Sequence, residues 1–331
     1  MRKARIMAAL LLAGVMVISV CGFASAKETI IVYTSMKESL IGDIAAGFMK
    51  KYPDIVVDYQ SAGAGNLMAK IAAERQSGRI LADILWHSEV PDFYSMRNEG
   101  LLLQYKTPLI GEILNPFDDW DGHFTAARLG TLGIVANTEF IKTPPTQWSD
   151  LFKPEYKDAF VIADPSLSGT AFMSVAMLDK QFGWEFFERL RANGASMGRG
   201  SGQVFDDTAA GEFSACLGVD YIVNDKIVKG ANLALYYPPE LLMSPSPIAI
   251  FKDSRQKDAA KQFVDYLLSQ EAQQLIAKEG TLAVRLDVEY PEGFMLPEAG
   301  TVLQTSIKVD YIELMSRKEE LIKKFTETMR K

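Results

Sequence analysis

Ser168, Gly169 and Thr170 form the segment of this sequence best suited to bind an anion. They follow a predicted strand at residues 159–163 and precede a predicted helix at residues 171–181. The first turn of a helix leaves backbone N–H groups without intrahelical partners, and hydroxyls beside them can help to surround a phosphate or phosphonate. Ser168 could also be only the N-terminal cap of the helix. We prefer ligand binding for Thr170, because a cap needs only one hydroxyl.

Other small or polar residues follow further predicted strands. The carboxyl ends of parallel strands meet at one edge of a sheet, where ligands bind beside helix N-termini. Ser35 and Gly63 also have simpler explanations, since Ser35 with Glu38 forms a capping box and Gly63 suits a tight turn. Trp86 is the one tryptophan placed to form a wall of a cleft. The predicted ligand-binding residues are Ser35, Gly63, Trp86, His87, Ser168, Gly169, Thr170, Ser201, Asp220 and Tyr221.

Strands and helices alternate in two similar blocks, which predicts an α/β protein with mostly parallel sheets and helices on their faces. The first block runs from a strand at residues 29–34 to a helical segment near residues 92–98. The second includes a strand predicted at residues 214–221. Two apolar runs, at residues 129–136 and 245–252, could cross between the blocks. The pattern therefore predicts two lobes with a cleft between them.

The first 26 residues have the pattern of a secretory signal peptide. Three basic residues precede a short apolar run at residues 6–20, and Ala24-Ser25-Ala26 suits a cleavage site. Cleavage after Ala26 would produce a periplasmic protein that begins at Lys27. Lipid attachment at Cys21 is the alternative, and the bulky side chain of Val20 before it argues against this.

The composition of the remaining 305 residues (331 − 26) restricts the class of protein. Their net charge is −10, because the leader removes three positive charges from −7, and this acidic balance argues against nucleic acid as a partner. Cys216 is the only cysteine left and lies in an apolar run, so we expect a buried side chain without a disulfide. A length of 305 residues favours two lobes over a single core.

The sequence contains none of the common catalytic or nucleotide-binding signatures. The glycine-rich segment at residues 198–202 lacks the Gly-Lys-Ser/Thr ending of a phosphate-binding loop, and the nucleophile elbow and zinc-protease motifs are missing from the sequence. His87 and His123 are too far apart in the sequence to indicate a zinc site. We therefore predict a monomeric protein that is not an enzyme and needs no cofactor.

Seven short segments, in this order and spacing, carry a resemblance that covers nearly the whole mature chain: residues 31–35, 48–53, 82–86, 133–138, 144–151, 163–171 and 210–213. With them the chain resembles bacterial solute-binding proteins of ABC importers, in the branch typified by ferric-ion-binding proteins. That branch also includes binders of organophosphonates, sugar phosphates and thiamine. The resemblance implies a type II periplasmic binding protein fold with two crossing hinge strands, and a membrane permease as partner.

The resemblance leaves two classes of ligand open. Ferric binders of the branch use a histidine after the first strand, a glutamate after the third and two adjacent tyrosines in the second lobe. The first loop here has no histidine, and the tyrosine pair falls on Asp220-Tyr221, so an iron site would comprise Glu89, Asp220 and Tyr221. The hydroxyl-rich helix start at residues 168–170 resembles the corresponding segment of the phosphonate and sugar-phosphate binders of this branch. In that reading Asp220 would accept hydrogen bonds from an ammonium or sugar hydroxyl, and Tyr221 would hydrogen-bond or stack.

We therefore predict a solute-binding protein that captures a small phosphorylated or phosphonated organic anion, such as 2-aminoethylphosphonate or a sugar phosphate. Ferric iron is the alternative ligand, and a periplasmic hydrolase or a sensing protein is the alternative class. Lobe 1 is predicted at residues 27–128 and 249–300, and lobe 2 at residues 129–248. The last segment, residues 301–331, is predicted to form a helix that packs on a lobe.

Overall fold

The computed structural model describes residues 27–330, so the predicted signal peptide and Cys21 lie outside the described residues. The strands are β1 Glu28–Thr34, β2 Ile55–Ser61, β3 Ile84–Trp86, β4 Thr125–Asn137, β5 Phe160–Ala163, β6 Ser196–Gly198, β7 Ala215–Val219, β8 Leu233–Tyr236 and β9 Leu242–Ile250. The helices are α1 Glu38–Lys51, α2 Ala64–Gln76, α3 Val90–Asn98, α4 Gly169–Phe182, α5 Glu185–Ala192, α6 Ser201–Ala210, α7 Asp220–Val228, α8 Lys257–Leu268, α9 Gln270–Lys278, α10 Val302–Thr305 and α11 Tyr311–Arg330. None of these helices is long and apolar enough to cross a membrane.

The strands form one mixed sheet in the order β2-β1-β3-β9-β4-β7-β5-β6, and β8 pairs with β4. β1 pairs in parallel with β2 and β3, and β5 pairs in parallel with β6 and β7. We call the first parallel group with its helices α1–α3, α8 and α9 lobe 1. The second parallel group, with helices α4–α7, is called lobe 2. This is the predicted α/β class, with parallel strands in each lobe.

β4 and β9 are the two strands that connect the lobes. They pair antiparallel with each other, β9 continues to pair with β3, and β4 continues to pair with β7 and β8. β4 begins at Thr125 rather than at residue 129, and β9 begins at Leu242 rather than at residue 245. A shift in register between Ala126 and Arg128 interrupts the ladder. Such bulges bend a strand locally, which places Arg128 at an irregular point of the connection.

Regular apolar spacing determines how the helices pack. In α1, Leu40, Ile41, Ile44 and Phe48 recur at helical intervals, and all four are fully buried. Burial of side chains of this size stabilises the fold by about 1.5–3 kcal/mol each relative to exposure. The polar side of the same helix stays toward solvent, so the lobe is covered by a helix that is apolar on one side only.

The C-terminal helix α11 was predicted to pack on a lobe, and it contacts helices of both. Its neighbours are α3 of lobe 1 and α4 and α5 of lobe 2. The buried residues Leu314, Leu321, Phe325 and Met329 follow helical spacing along its whole length. The apolar stripe therefore covers a surface that extends across the junction of the two lobes.

One prediction of secondary structure was wrong where the site depends on it. Residues 214–221 were predicted as a strand, whereas β7 ends at Val219 and α7 begins at Asp220. α7 was missed because it is rich in the β-branched residues Ile222, Val223, Ile227 and Val228, which have low helix propensity. The consequence is that Asp220 and Tyr221 lie in the first turn of a helix rather than at the end of a strand.

Candidate functional site

A cavity of about 210 Å³ lies between the lobes, beyond the carboxyl ends of the parallel strands. Loops that follow β1, β2 and β3 form its lobe 1 side, and loops that follow β5, β6 and β7 form its lobe 2 side. We call it the interlobe cavity. Its lining residues are Ser35, Gly63, Ala64 and Ser88 from lobe 1, and Leu167, Ser168, Gly169, Thr170, Gly200, Ser201, Gly202, Val219, Tyr221 and Ile222 from lobe 2.

Four helices begin at this cavity. The residues that precede α2, α4, α6 and α7 are Gly63, Ser168, Gly200 and Val219, and all four line it. Each helix start offers backbone N–H groups without intrahelical acceptors and the positive end of the helix dipole. Together, the four helix N-termini favour the binding of an anionic group in the cavity between the lobes.

Three hydroxyls on the lobe 2 side lie within hydrogen-bonding reach of one another. Ser168 Oγ is 2.7 Å from Ser201 Oγ and 3.1 Å from Thr170 Oγ1. Ser168 Oγ also accepts a hydrogen bond from the Ala171 backbone N–H at 3.3 Å, so Ser168 is a helix cap as well as a lining residue. Thr170 and Ser201 have no capping bond of this kind, which leaves their hydroxyls free to turn toward a bound group.

Glycines bring the two lobes into direct contact at the rim of the cavity. A Cβ atom added to Gly63 would lie 2.4 Å from the Leu167 carbonyl oxygen, and one added to Gly65 would lie 2.0 Å from the Ser166 carbonyl oxygen. Both distances are far shorter than a real Cβ contact allows. The backbones of the two lobes therefore meet here in a closed arrangement that requires glycine.

A second interlobe contact lies on the hinge side of the cavity. The Asn224 amide of lobe 2 donates to the Gly280 carbonyl of lobe 1 at 2.7 Å. Lys37 Nζ of lobe 1 lies 3.5 Å from Asp225 Oδ1 of lobe 2. Contacts on both sides of the cavity show that the lobes enclose it.

Asp220 is fully buried at the start of α7 and is bonded within the protein. Its Oδ2 accepts hydrogen bonds from the Thr131 N–H, the Thr131 hydroxyl and the Thr281 hydroxyl, each 2.9 Å long. Its Oδ1 accepts from the Tyr221 N–H at 2.7 Å and lies 3.6 Å from Arg128 Nη1. Burial raises the pKa of Asp220, and the Arg128 charge opposes that rise. We call Arg128, Thr131, Asp220 and Thr281 the hinge cluster.

Arg128 connects the hinge cluster to the cavity wall. Its guanidinium carbon lies 4.3 Å from the centre of the Tyr221 ring, in the geometry of a cation–π contact. Its Nη2 donates to Ser246 Oγ at 3.2 Å, and Ser246 Oγ is 3.0 Å from Ser88 Oγ. A Cβ on Gly130 would lie 2.8 Å from Arg128 Nη2, so glycine makes room for the guanidinium. The buried arginine thereby supports Tyr221 and Ser88, which line the cavity.

A second group of buried charges lies behind the cavity, and we call His87, Glu89, Asp92 and Lys318 the lysine cluster. Lys318 from α11 pairs with Glu89 and donates to Asp92 Oδ1 at 2.6 Å. Burial, and then the Asp92 charge, raise the pKa of Glu89 to about 8. Burial lowers the pKa of His87 to about 3, so this imidazole is neutral. His87 Nδ1 accepts from the Glu89 N–H at 3.0 Å, while His87 Nε2 has no hydrogen-bond partner.

Comparisons of sequence and structure with known proteins identify the family and the fold of this chain. Residues 81–302 match the family described as bacterial extracellular solute-binding proteins. The chain belongs to this family. Over 165 residues it is 33% identical to the phosphoglycerate transport regulatory protein PgtC of Salmonella typhimurium, a match that covers 47% of this chain and 41% of PgtC.

Solved structures of periplasmic binding proteins superpose on nearly the whole solute-binding protein. AfuA from Actinobacillus pleuropneumoniae, with fructose-6-phosphate bound, is 25% identical with a TM-score of 0.80, and the match covers 92% of this chain and 99% of AfuA. Iron-bound HitA from Pseudomonas aeruginosa is 22% identical with a TM-score of 0.76, covering 90% of this chain and 99% of HitA. The fold is therefore that of a type II periplasmic binding protein of ABC transporters.

The solute-binding protein brings seven of the ten predicted ligand-binding residues to the interlobe cavity. The other three are Trp86, His87 and Asp220, whose side chains are fully buried outside the lining. Trp86 belongs to β3, which is paired on both edges, so it packs in the core rather than forming a cleft wall. The residues lining the cavity are Ser35, Gly63, Ser168, Gly169, Thr170, Ser201 and Tyr221.

Two residues that support the site are not among the predicted ligand-binding residues. Ser88 lines the cavity in the loop that follows the strand ending at Trp86, and the sequence places that loop at the cleft. Arg128 gave no such signal, because it precedes an apolar run and its partners Asp220 and Thr281 are distant in the sequence.

The solute-binding protein does not bring the predicted iron ligands together as free groups. Glu89 pairs with Lys318, and Asp220 is bonded to the hinge cluster. Burial raises the pKa of the Tyr221 phenol, which opposes the phenolate form that Fe(III) prefers. Within residues 27–330, no group of three or more His, Cys, Asp or Glu side chains is arranged to hold a metal ion.

Proposed function

We propose that this protein captures a small phosphorylated or phosphonated organic anion in the interlobe cavity and delivers it to an ABC permease. The observation that carries the proposal is the convergence of four helix N-termini and the Ser168, Thr170 and Ser201 hydroxyls on one cavity of about 210 Å³. Unpaired N–H groups and hydroxyls are suited to the oxygens of a phosphate or phosphonate. The fructose-6-phosphate bound to AfuA, at 25% identity, supports the same class of ligand.

In this proposal, residues of the hinge cluster position the site and do not contact the solute. Asp220 accepts four hydrogen bonds within the protein and lies outside the lining, so its carboxyl group does not serve an ammonium or sugar hydroxyl of the ligand, contrary to the expectation from the sequence. Tyr221 and Ser88 are the lining residues that the cluster supports. They are placed to contact the organic part of the solute, while Thr170 and Ser201 contact its anionic group.

The proposed role also requires that the protein be exported across the inner membrane. Cleavage after Ala26 would release a monomeric protein outside the inner membrane, where a permease could receive the solute from it. Closure of the lobes around the solute would be the signal that the permease recognises.

Titration of candidate solutes tests the proposal. We expect 2-aminoethylphosphonate, a hexose phosphate or phosphoglycerate to raise the melting temperature, and calorimetry to give a stoichiometry of one. Mass spectrometry of material that remains bound through native purification would identify the solute itself. If none of these compounds binds and ferric ion produces a tyrosinate colour instead, the proposal is wrong.

Replacement of one hydroxyl tests the role of the helix start. Thr170→Val keeps the shape of the side chain, and we expect the Kd to rise about 10- to 100-fold, because a hydrogen bond to a charged group contributes about 1.5–3 kcal/mol. Thr170→Ser is the matched control and should bind nearly as the wild type does. Equal affinity of Thr170→Val and the wild type would exclude Thr170 from the anion site.

A further inference from the structure

Two consecutive residues of α11 are attached to different lobes. Arg317 Nη2 lies 3.5 Å from Asp179 Oδ2, in α4 of lobe 2. Lys318 Nζ bonds to Asp92 and pairs with Glu89, both on the lobe 1 side. We expect separation of the lobes to strain one of these two attachments.

Aromatic contacts divide the helix between the lobes in the same way. At its start, the Tyr311 ring stacks on Tyr94 of α3 in lobe 1, with ring centres 6.0 Å apart. Toward its end, Phe325 meets Phe187 of α5 in lobe 2 edge to face, with ring centres 5.4 Å apart. The start of α11 is therefore packed on lobe 1 and its end on lobe 2, and the attachments of Arg317 and Lys318 lie between them.

The lobe 1 attachment lies directly behind the interlobe cavity. A Cβ atom on Gly169, the first residue of α4, would be 2.8 Å from Glu89 Cβ. Gly169 and Ser88, the neighbour of Glu89, both line the cavity. Contacts that fix the position of Glu89 therefore also fix the contact between lobe 1 and Gly169, at the start of helix α4.

Lys318 is the cation that makes this contact possible. Glu89 is 2% exposed and Asp92 is 5% exposed, so without Lys318 two carboxyl groups would be buried together with no cation bonded to them. The Lys318 side chain is itself only 24% exposed, and its Nζ lies 6.0 Å from the centre of the Phe172 ring in α4. Its ammonium therefore lies between the two lobes.

We propose that Lys318 is a positioning residue for solute capture, which fastens α11 to lobe 1 and thereby favours the closed arrangement of the lobes. This inference rests on the proposed function, since retention of a solute is one of its readouts. Loss of the attachment should increase the open population of the ligand-free protein. It should also speed dissociation of the solute, because release requires opening.

Small-angle X-ray scattering and stopped-flow dissociation test this role. We expect Lys318→Met to have a larger radius of gyration without ligand, and to release fructose 6-phosphate or 2-aminoethylphosphonate at least about tenfold faster. Lys318→Arg should restore both properties. Lys323→Met is the matched control, because Lys323 is on the same helix, is 78% exposed and forms a distant ion pair with Glu327, at 3.9 Å, within α11 itself.

Arg317→Met tests the other attachment and leaves the buried charges paired. Because its ion pair is partly exposed, we expect a smaller effect, about two- to fivefold on the dissociation rate, with the same direction in scattering. If Lys318→Met fails to fold, Arg317→Met decides the question. The proposal is overturned if the folded variants match Lys323→Met in radius of gyration and dissociation rate, even with a lower melting temperature.

The two proposals fail in different ways. If neither solute binds the wild type, the proposed ligand class is wrong, and the scattering of ligand-free Lys318→Met and Arg317→Met still decides whether α11 favours closure. If the solutes bind but neither variant differs from the control, only the role of Lys318 is wrong.

Discussion

The hinge cluster and the lysine cluster each contain a buried acidic side chain just after a strand of one lobe, and the surroundings of these two side chains differ. Asp220 receives four hydrogen bonds and faces Arg128 from the adjoining strand β4. Glu89 shares one lysine with Asp92, and that lysine comes from a helix more than 200 residues away in the sequence. Both His87 Nε2 and Asp92 Oδ2 remain without hydrogen-bond partners.

This difference indicates which side of the cavity moves. A fully bonded buried carboxylate is costly to disturb, whereas a cluster with unpaired polar atoms has less to lose. Asp220 is attached to β4, which connects the lobes, so we expect its surroundings to stay fixed during opening. Glu89 faces Gly169 across the contact between the lobes. We expect that contact to separate.

The largest expected effect compares removal of the two carboxylates. Asp220→Ala leaves Arg128 buried without its partner, and we expect the free energy of unfolding to fall by about 3–5 kcal/mol. Glu89→Gln keeps the shape of the side chain and leaves Lys318 paired with Asp92, so at pH 5, where Glu89 is still protonated in the folded protein, a change below about 1 kcal/mol is expected. Urea unfolding followed by tryptophan fluorescence measures both. Equal losses would remove the distinction between the two clusters.

A methyl group added at Gly65, on the rim of the cavity, should weaken solute binding without lowering the free energy of unfolding. In the arrangement described here, the new Cβ of Gly65→Ala would lie 2.0 Å from the Ser166 carbonyl oxygen of the other lobe. We expect the Kd for the solute to rise about tenfold or more, since closure would need the backbone to shift. The ligand-free protein should be as stable or up to about 1 kcal/mol more stable, because alanine is the better helix former.

Gly111→Ala is the control for that substitution, because a Cβ there meets no atom within 4 Å. It should bind as the wild type does. Unchanged affinity in Gly65→Ala would mean that the bound state does not include the contact between residues 63–65 and 166–167.

The third comparison is a difference in pH dependence. The pKa of Glu89 is raised from 4.5 to about 8, so between these values the folded protein holds a proton that the unfolded chain has lost. The free energy of unfolding contributed by this group therefore falls as the pH rises from about 4.5 to 8. In Glu89→Gln that fall should be absent, so its stability relative to the wild type should increase with pH. Thermal melts from pH 5 to 8 measure it, and parallel profiles would contradict the assignment.

The sequence predicted the general fold because its signals are local and repeated. Strands, helices at 3.6-residue spacing and the crossing runs could all be read without knowing which residues meet. Ser168 and Thr170 could be singled out for the same reason, since both follow a predicted strand. They line the cavity, and their contact with a solute stays a prediction.

Pairing between distant residues could not be read in this way. Asp220 was expected to face a ligand, and only the positions of Arg128, Thr131 and Thr281 show that it is bonded within the protein. Lys318 lay in a charge-rich tail that suggested a solvated helix. The Lys318 side chain is partly buried because the apolar stripe of α11 lies across both lobes. No local pattern in the sequence indicates that position of the helix.

Every side chain that lines the interlobe cavity is uncharged. An anion held there would be attracted at short range by fixed backbone dipoles between the lobes, where dissolved ions screen less than they do at the open surface. Retention of the solute should therefore vary little with ionic strength. Outside the cytoplasm, the salt concentration follows that of the surroundings. An affinity that varies little with ionic strength would let a solute-binding protein retain its solute in both dilute and concentrated media.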